Sequence, residues 1–342
     1  MIESLQQKIR EAAQRRAPLR LRGSGSKDFY GNALRGEVLE TRDYAGIVSY
    51  DPTELVVTAR CGTPLAELEE VLSKNSQILP FEPPHFGRGA TLGGCIAAGL
   101  AGPRRAAAGA VRDFVLGAKL VDGRGQLLHF GGAVMKNVAG YDVSRVLAGS
   151  LGTLGLIAEA SLKVLPRPPC ERTLRLEADE SEALARMNRW AGQPLPVSAT
   201  AWHEGQLFVR LSGSEPGVHA AAHRIGGEQI DPGFWNDLKE HTHAFFAGSE
   251  PLWRISLSST APLDLAGKKL IEWGGALRWV KTAAGAEAVR LAAPQATLFR
   301  ASDKSAGAFA PLDPVSARLH KALKAAFDPA GVFNPGRMYA DF

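Results

Sequence analysis

Glycine is bunched in the first half of this chain, and the bunching limits what can be built there. Four segments carry it: Arg22-Gly23-Ser24-Gly25-Ser26-Lys27; Gly87-Arg88-Gly89-Ala90-Thr91-Leu92-Gly93-Gly94, with Gly99 and Gly102 behind; Lys136-Asn137-Val138-Ala139-Gly140-Tyr141-Asp142; and Gly149-Ser150-Leu151-Gly152-Thr153-Leu154-Gly155. A tight turn needs only one or two residues at positive φ, so this density exceeds what turning requires. Backbone without Cβ atoms can come very close to something else. Four such segments imply a ligand long enough to touch them all, which favours dinucleotide length over a mononucleotide.

The first segment follows a strand candidate, Leu19–Arg22, but it is not a dinucleotide fingerprint. The third glycine of G-x-G-x-x-G would fall on Asp28, and no G-x-x-x-x-G-K-[ST] string occurs. Small residues with Lys27 still suit a nest of N–H groups around a diphosphate; a plain glycine-rich turn is the other reading. Arg20, Arg22, Arg104, Arg105 and Arg112 border the glycine stretches, and cations beside exposed N–H groups suit a phosphorylated ligand.

At 342 residues the chain favours two packed units over one core. Ile2, Leu5 and Ile9 mark an amphipathic helix over 1–16. Strands are expected at 19–22, 38–40, 46–50 and 55–61, then a helix over 64–74 opened by Pro64. Residues 80–102 read as a proline- and glycine-dense loop. A hairpin is expected over 115–121 and 126–130 and a strand over 154–165, stopped by Pro166-Arg167-Pro168-Pro169. That proline cluster cannot continue a central strand or a helix, so it marks a domain boundary. Beyond it the pattern is a strand at 172–177, a helix at 180–190, a hairpin at 198–203 and 206–211, helices at 218–225 and 231–246, strands at 253–257 and 276–281, and a last helix over 314–327.

Several function classes are disfavoured. The formal net charge is only +5, and no basic run is interleaved with aromatics, so nucleic-acid binding is not expected. Cys61, Cys95 and Cys170 are far apart, too few and too scattered for a disulfide framework or a protein-held iron–sulfur cluster. No apolar run approaches the ~20 residues of a membrane span, and the start has no apolar signal region. A cytoplasmic protein is expected, reaching the inner membrane only through partners.

The ordered strings RGSGSK, ATLGG, AGPRR, GAVRDFVLG, GGAVMKNVAGYD and GSLGTLGLIAEASLKVLPRP resemble the PCMH-type FAD-binding domain of the vanillyl-alcohol oxidase superfamily. PFEPPHFGRGATLGG, KNVAGYDVSR, LIEWGGALRW and FDPAGVFNPGRM are similar to the FAD-binding subunit of multi-component glycolate oxidases. The resemblance implies an α+β fold: a two-subdomain FAD-binding domain over 1–168, an inserted smaller α+β cap over 169–310, and a C-terminal segment, 311–342, returning to the FAD domain. It implies FAD, with the diphosphate on Arg22, Gly23, Ser24, Gly25, Ser26 and Lys27. Thr91, Leu92, Gly93 and Gly94 would lie along the diphosphate and flavin, with Ala98 and Gly99 following and Pro84 in the same set. Gly109, Ala110 and Val111 would approach the isoalloxazine, and Gly155 and Ile157 the adenosine end.

Departures from the family matter as much. Covalently flavinylated members carry a histidine in the first loop; Gly25-Ser26-Lys27-Asp28 has none, so non-covalent FAD is expected. The H-x-G-D-G-N-type string of the large catalytic homologues is absent. His219 and His223 are the one i, i+4 histidine pair and read as solvent-facing, since no third ligand sits at useful spacing; no metal site is expected. His241 and His243 are two apart on an expected helix and so share no face. A substrate carboxylate would need a cation, Arg278 or Arg337, though either is equally explained as an ordinary ion-pair residue; no catalytic base stands out. Trp273 and Trp279 read as cap-domain core. The resemblance therefore implies an FAD subunit of a complex that oxidises glycolate to glyoxylate, alongside a larger FAD-dependent catalytic subunit and an iron–sulfur subunit. A self-sufficient FAD-dependent dehydrogenase of small 2-hydroxy acids and a flavin-binding assembly subunit are the alternatives.

Overall fold

The computed structural model describes residues 1–132 and 142–342. Two antiparallel sheets divide the chain. The first has five strands in the order Ile47–Asp51, Val56–Arg60, Leu156–Lys163, Val115–Val121, Leu127–Gly131. Its middle strand, LIAEASLK, is buried along almost its whole length, as expected for a strand covered on both faces. The one charge in its buried stretch, Glu159, is held by Lys119 Nζ at 2.7 Å and by the Tyr44 hydroxyl at 3.0 Å. Helix Leu65–Lys74 lays Leu65, Leu68 and Leu72 into this core, one apolar stripe at helical spacing.

The second sheet has eight strands, in the order Glu228–Ile230, Cys170–Glu177, Gln206–Gly213, Val197–His203, Lys268–Glu272, Leu277–Lys281, Leu252–Ser256, Thr297–Arg300. Helices Glu180–Ala191 and Glu215–Ile225 cover part of it through Met187, Trp190, Val218 and Ala221. Another part carries an aromatic cluster, including Phe245, Phe246, Trp273, Trp279 and Phe299. Tyr30, Ala98, Leu100 and Leu151 join that same cluster from the first half of the chain. The eight-stranded sheet thus meets loops and a helix end of the first half of the chain through aromatic packing, and Trp273 and Trp279 are core residues as expected.

The C-terminal segment returns to the start. Helix Ile2–Arg15 buries Leu5, Ile9 and Ala12 against Val332 and Phe333. The Leu19 N–H donates to the Val332 carbonyl at 2.7 Å, and the Asn334 N–H to the Leu19 carbonyl at 2.9 Å.

The mixed α+β architecture agrees with expectation; three details differ. Residues 92–98, within the expected loop, form helix Leu92–Ala98. Gly93 and Gly94 disguise it, each costing about 1 kcal/mol of helix propensity, but Thr91 caps it by accepting the Gly94 N–H at 3.3 Å. The expected helix over 231–246 is two pieces, Gly233–Glu240 and a short 3-10 turn Ala244–Phe246. Strands Glu228–Ile230, Lys268–Glu272 and Thr297–Arg300 and helix Ala286–Ala292 went unread. The third glycine segment falls mostly on residues 133–141, outside the described residues.

Candidate functional site

The other three glycine segments converge. A Cβ on Gly23 would overlap the Thr91 hydroxyl, one on Gly89 would lie 3.7 Å from Ser24 Cβ, and one on Gly87 4.0 Å from Ser26 Cβ. The first and second segments therefore face each other, glycine against small side chain. Behind them a Cβ on Gly99 would sit 2.8 Å from the Gly149 nitrogen. The Gly149 and Leu151 N–H groups donate to the Ile96 and Ala97 carbonyls at 2.9 and 2.8 Å, fastening the fourth segment to the helix of the second.

Between them lies a narrow cleft of about 70 Å³, lined by Arg22, Gly23, Gly93, Gly94, Gly152, Gly155 and Ile157, with Cys61, Leu21 and Asn334 among its walls. Of the expected cofactor residues it collects Arg22, Gly23, Gly93, Gly94, Gly155 and Ile157. Ser24, Gly25, Ser26 and Lys27 form the adjoining loop opposite Gly87 and Gly89. Pro84 lines a separate cavity, while Gly109, Ala110 and Val111 line neither. Thr91 and Leu92 are buried, Leu92 as part of the core, so only their backbone could meet a ligand.

The loop's chemistry suits an anion. Gly25 takes φ +79°, and the backbone N–H groups of Ser24, Gly25 and Lys27 donate to no other group among the described residues. The Nε atoms of Arg20 and Arg22 are buried without a hydrogen-bond partner: Arg20 pairs with Asp28 through a terminal nitrogen, and Arg22 Nε lies 3.7 Å from Asp28 Oδ2, an ion-pair distance beyond hydrogen-bond reach. Burial lowers the pKa of Lys27, whose Nζ donates to the His85 carbonyl at 3.3 Å. Cys61 and Cys95 are inert by the same physics: burial pushes the Cys95 thiol up to about 12 and the Cys61 thiol higher still.

Several expected cations have structural work instead. Arg104 is buried between Glu82 and Glu171. Arg278, 1% exposed, donates to the carbonyls of Ala261 at 2.7 Å and Gly275 at 3.3 Å. Arg337 clamps the carbonyls of Lys27, Asp28, Tyr30 and Asn32. Neither Arg278 nor Arg337 lines a cleft described here. His241 and His243 lie not on a helix but in the connection after Gly233–Glu240. Among the described residues no His/Cys/Asp/Glu group could hold a metal ion, and no helix is long and apolar enough to cross a membrane.

Comparison with known proteins decides the family. Residues 2–131 match the family described as an FAD binding domain. The chain is 49% identical to glycolate oxidase subunit GlcE of Escherichia coli (strain K12), over 99% of this chain and 97% of that protein. This chain belongs to the GlcE family of glycolate oxidase subunits. It is also 31% identical to glycolate oxidase subunit GlcD of Bacillus subtilis (strain 168), but over 51% of this chain and 37% of that protein. In fold it is similar to alkyldihydroxyacetonephosphate synthase, with TM-score 0.66 and 16% identity over 97% of this chain and 75% of that one.

FAD is the cofactor, and this GlcE-family chain is a member of the FAD-dependent oxidoreductases and a component of glycolate oxidase. The residues present fit the group. Free N–H donors, buried guanidinium Nε atoms and a strip of positions without Cβ atoms lie together where a diphosphate needs donors and close approach.

Proposed function

We propose that this chain is the non-covalent FAD-carrying subunit of a complex that oxidises glycolate to glyoxylate and passes the electrons to an iron–sulfur partner. A larger FAD-dependent subunit provides the substrate-oxidising histidine site that this sequence lacks. The observation that carries the reading is the convergence of three glycine segments, separated by some sixty residues each, on one cleft. Full-length similarity to GlcE supports the choice of substrate.

In this reading residues 1–168 are the FAD-binding unit, 169–310 a cap that also contacts partners, and 311–342 a segment completing the FAD unit. The loop Arg22–Lys27 holds the diphosphate, backbone of Thr91–Gly94 runs beside it, and Gly155 and Ile157 close over the adenosine. Gly109, Ala110 and Val111 approach the isoalloxazine, Ala98 and Gly99 follow the Thr91–Gly94 segment, and Pro84 belongs to the same cofactor set. When bound, FAD supplies an acceptor for a hydride from the substrate carbon. The chain's own contribution is to offset the diphosphate charge with N–H groups and arginines, and to exclude water with the aromatic cluster at Phe86, Trp279 and Phe299.

The test is to purify the untagged complex, count flavin and iron per polypeptide, and reconstitute it without this chain. The expected result is one flavin on this chain, iron on another, and loss of electron transfer to the acceptor when this chain is omitted. Native acceptor kinetics in its absence would refute the proposed role.

A further inference from the structure

A second, smaller cavity lies between the segments flanking helix Leu92–Ala98 (84–86 and 100–103) and the eight-stranded sheet, apart from the cofactor cleft. Arg254 pairs in register with Trp279, and Glu272 with Leu277, two residues earlier on the same strand. Side chains two apart share a face, so Arg254, Glu272 and Trp279 point together toward the first half of the chain. Trp279 Nε1 donates to Glu272 Oε2 at 2.8 Å. His241 enters from the end of helix Gly233–Glu240, its ring stacked on Phe246 with centroids 3.8 Å apart.

Two features in and beside this pocket lack a polar partner. His241 Nδ1 is buried without a hydrogen-bond partner, while its φ of +56° is that of a left-handed cap ending helix Gly233–Glu240. Arg254 and Arg105 share the Trp273 ring, at 5.2 and 4.4 Å from its centroid. Among the described residues neither guanidinium has a carboxylate within 4.0 Å. Burial and the charges of Arg300 and Arg254 hold the His241 imidazole well below its ordinary pKa, so it is neutral at pH 7. A half-buried cation with no carboxylate in contact, beside an unpaired buried polar atom in a cleft, marks a candidate functional site.

We propose that this cavity is a receptor for the carboxylate of a two-carbon 2-hydroxy or 2-oxo acid, with Arg254 as the counter-ion and His241 and Glu272 left to meet the 2-oxygen. This rests on the reading that the chain serves glycolate oxidation. A neutral imidazole and a carboxyl group can each hydrogen-bond a hydroxyl or a carbonyl, whereas an acid with a second carboxylate would bring charge against Glu272. Size points the same way. The cavity is about 20 Å³, room for a water or two, so a two-carbon acid enters by displacing water and moving side chains slightly, while a five-carbon acid is excluded.

The experiment is calorimetric titration of the full FAD-loaded chain with oxamate, a two-carbon probe with one carboxylate and a 2-carbonyl that carries no oxidisable carbinol, and with 2-hydroxyglutarate. Saturable oxamate binding is expected, at least about tenfold tighter than 2-hydroxyglutarate and weakened at least about tenfold by Arg254→Met. Arg254→Lys keeps the charge but loses the planar fork, so it should fall between the two; it also serves if Arg254→Met does not fold. Equal oxamate affinity in the wild type and a folded Arg254 variant overturns the proposal, as does absence of binding to a chain that holds FAD. A folded chain that binds oxamate but never FAD would instead overturn the functional reading.

Discussion

The side chain of Asn334 accepts the Leu21 backbone N–H at 2.9 Å, while its Nδ2 donates to the Leu151 carbonyl at 2.7 Å. Leu21 leads into the first glycine segment and Leu151 lies within the fourth. One buried amide from the far end of the chain therefore sets the spacing between two walls of the cofactor cleft. Asn334→Ala leaves both backbone groups without that partner and should cost about 2 kcal/mol. FAD should be lost more readily too. Urea midpoints and flavin absorbance per polypeptide measure the two effects; a variant as stable and as yellow as the wild type would remove Asn334 from this role.

Adjacent glycines should behave differently. A Cβ on Gly93 would lie 2.8 Å from Cys61 Cβ and 3.0 Å from the Cys61 carbonyl oxygen, so Gly93→Ala forces the helix off the five-stranded sheet. A cost of about 1–3 kcal/mol is expected. A Cβ on Gly94 meets only the Thr91 hydroxyl, at 3.2 Å, and the position lines the cleft. Gly94→Glu should therefore keep its fold yet retain no FAD, because its carboxylate occupies and repels the diphosphate site. Circular dichroism with flavin content separates the two outcomes, and a yellow Gly94→Glu protein would show the cleft to be misassigned.

Flavin attachment is readable from the same loop. Gly25-Ser26-Lys27-Asp28 offers no histidine for a bond to the flavin. Acid precipitation of the purified chain should leave all yellow colour in the supernatant. Colour that stays with the pellet would point to a covalent link through a residue outside this loop.

The fold was legible where local chemistry is strong, and obscure where tertiary contacts decide. Leu65, Leu68 and Leu72 announce their helix by spacing, and helix Pro314–Phe327 begins at its expected residue because Asp313 caps it by accepting the Val315 and Ser316 N–H groups at 3.0 Å. Helix Leu92–Ala98 was hidden because its two glycines serve close packing rather than flexibility. The glycine segments betrayed the cleft through composition alone. No comparable signal existed for Arg254, Glu272 and His241, since three residues from separate elements become neighbours only through strand register and the end of a helix. Arg278 and Arg337 drew attention as cations, but their guanidinium groups are occupied by backbone carbonyls, which no sequence pattern reveals.

Stability should depend on pH through Glu272. Burial pushes its carboxyl from an ordinary 4.5 up to about 7, with Glu82 adding to the rise and the Trp279 N–H and Arg254 opposing it. The folded state therefore binds a proton that the unfolded chain has released between about pH 4.5 and 7. A raised folded-state value means the contribution is complete below pH 4.5 and is lost as pH rises through about 7, by roughly 3 kcal/mol at most. Glu272→Gln keeps the oxygen that accepts from Trp279 but cannot ionise. Denaturant midpoints taken from pH 5 to 8.5 should fall for the wild type relative to Glu272→Gln, with most of the divergence complete near pH 7. A stability difference between the two proteins that is the same at every pH would mean that Glu272 is already ionised in the folded chain, and that Arg254 has a counter-ion after all.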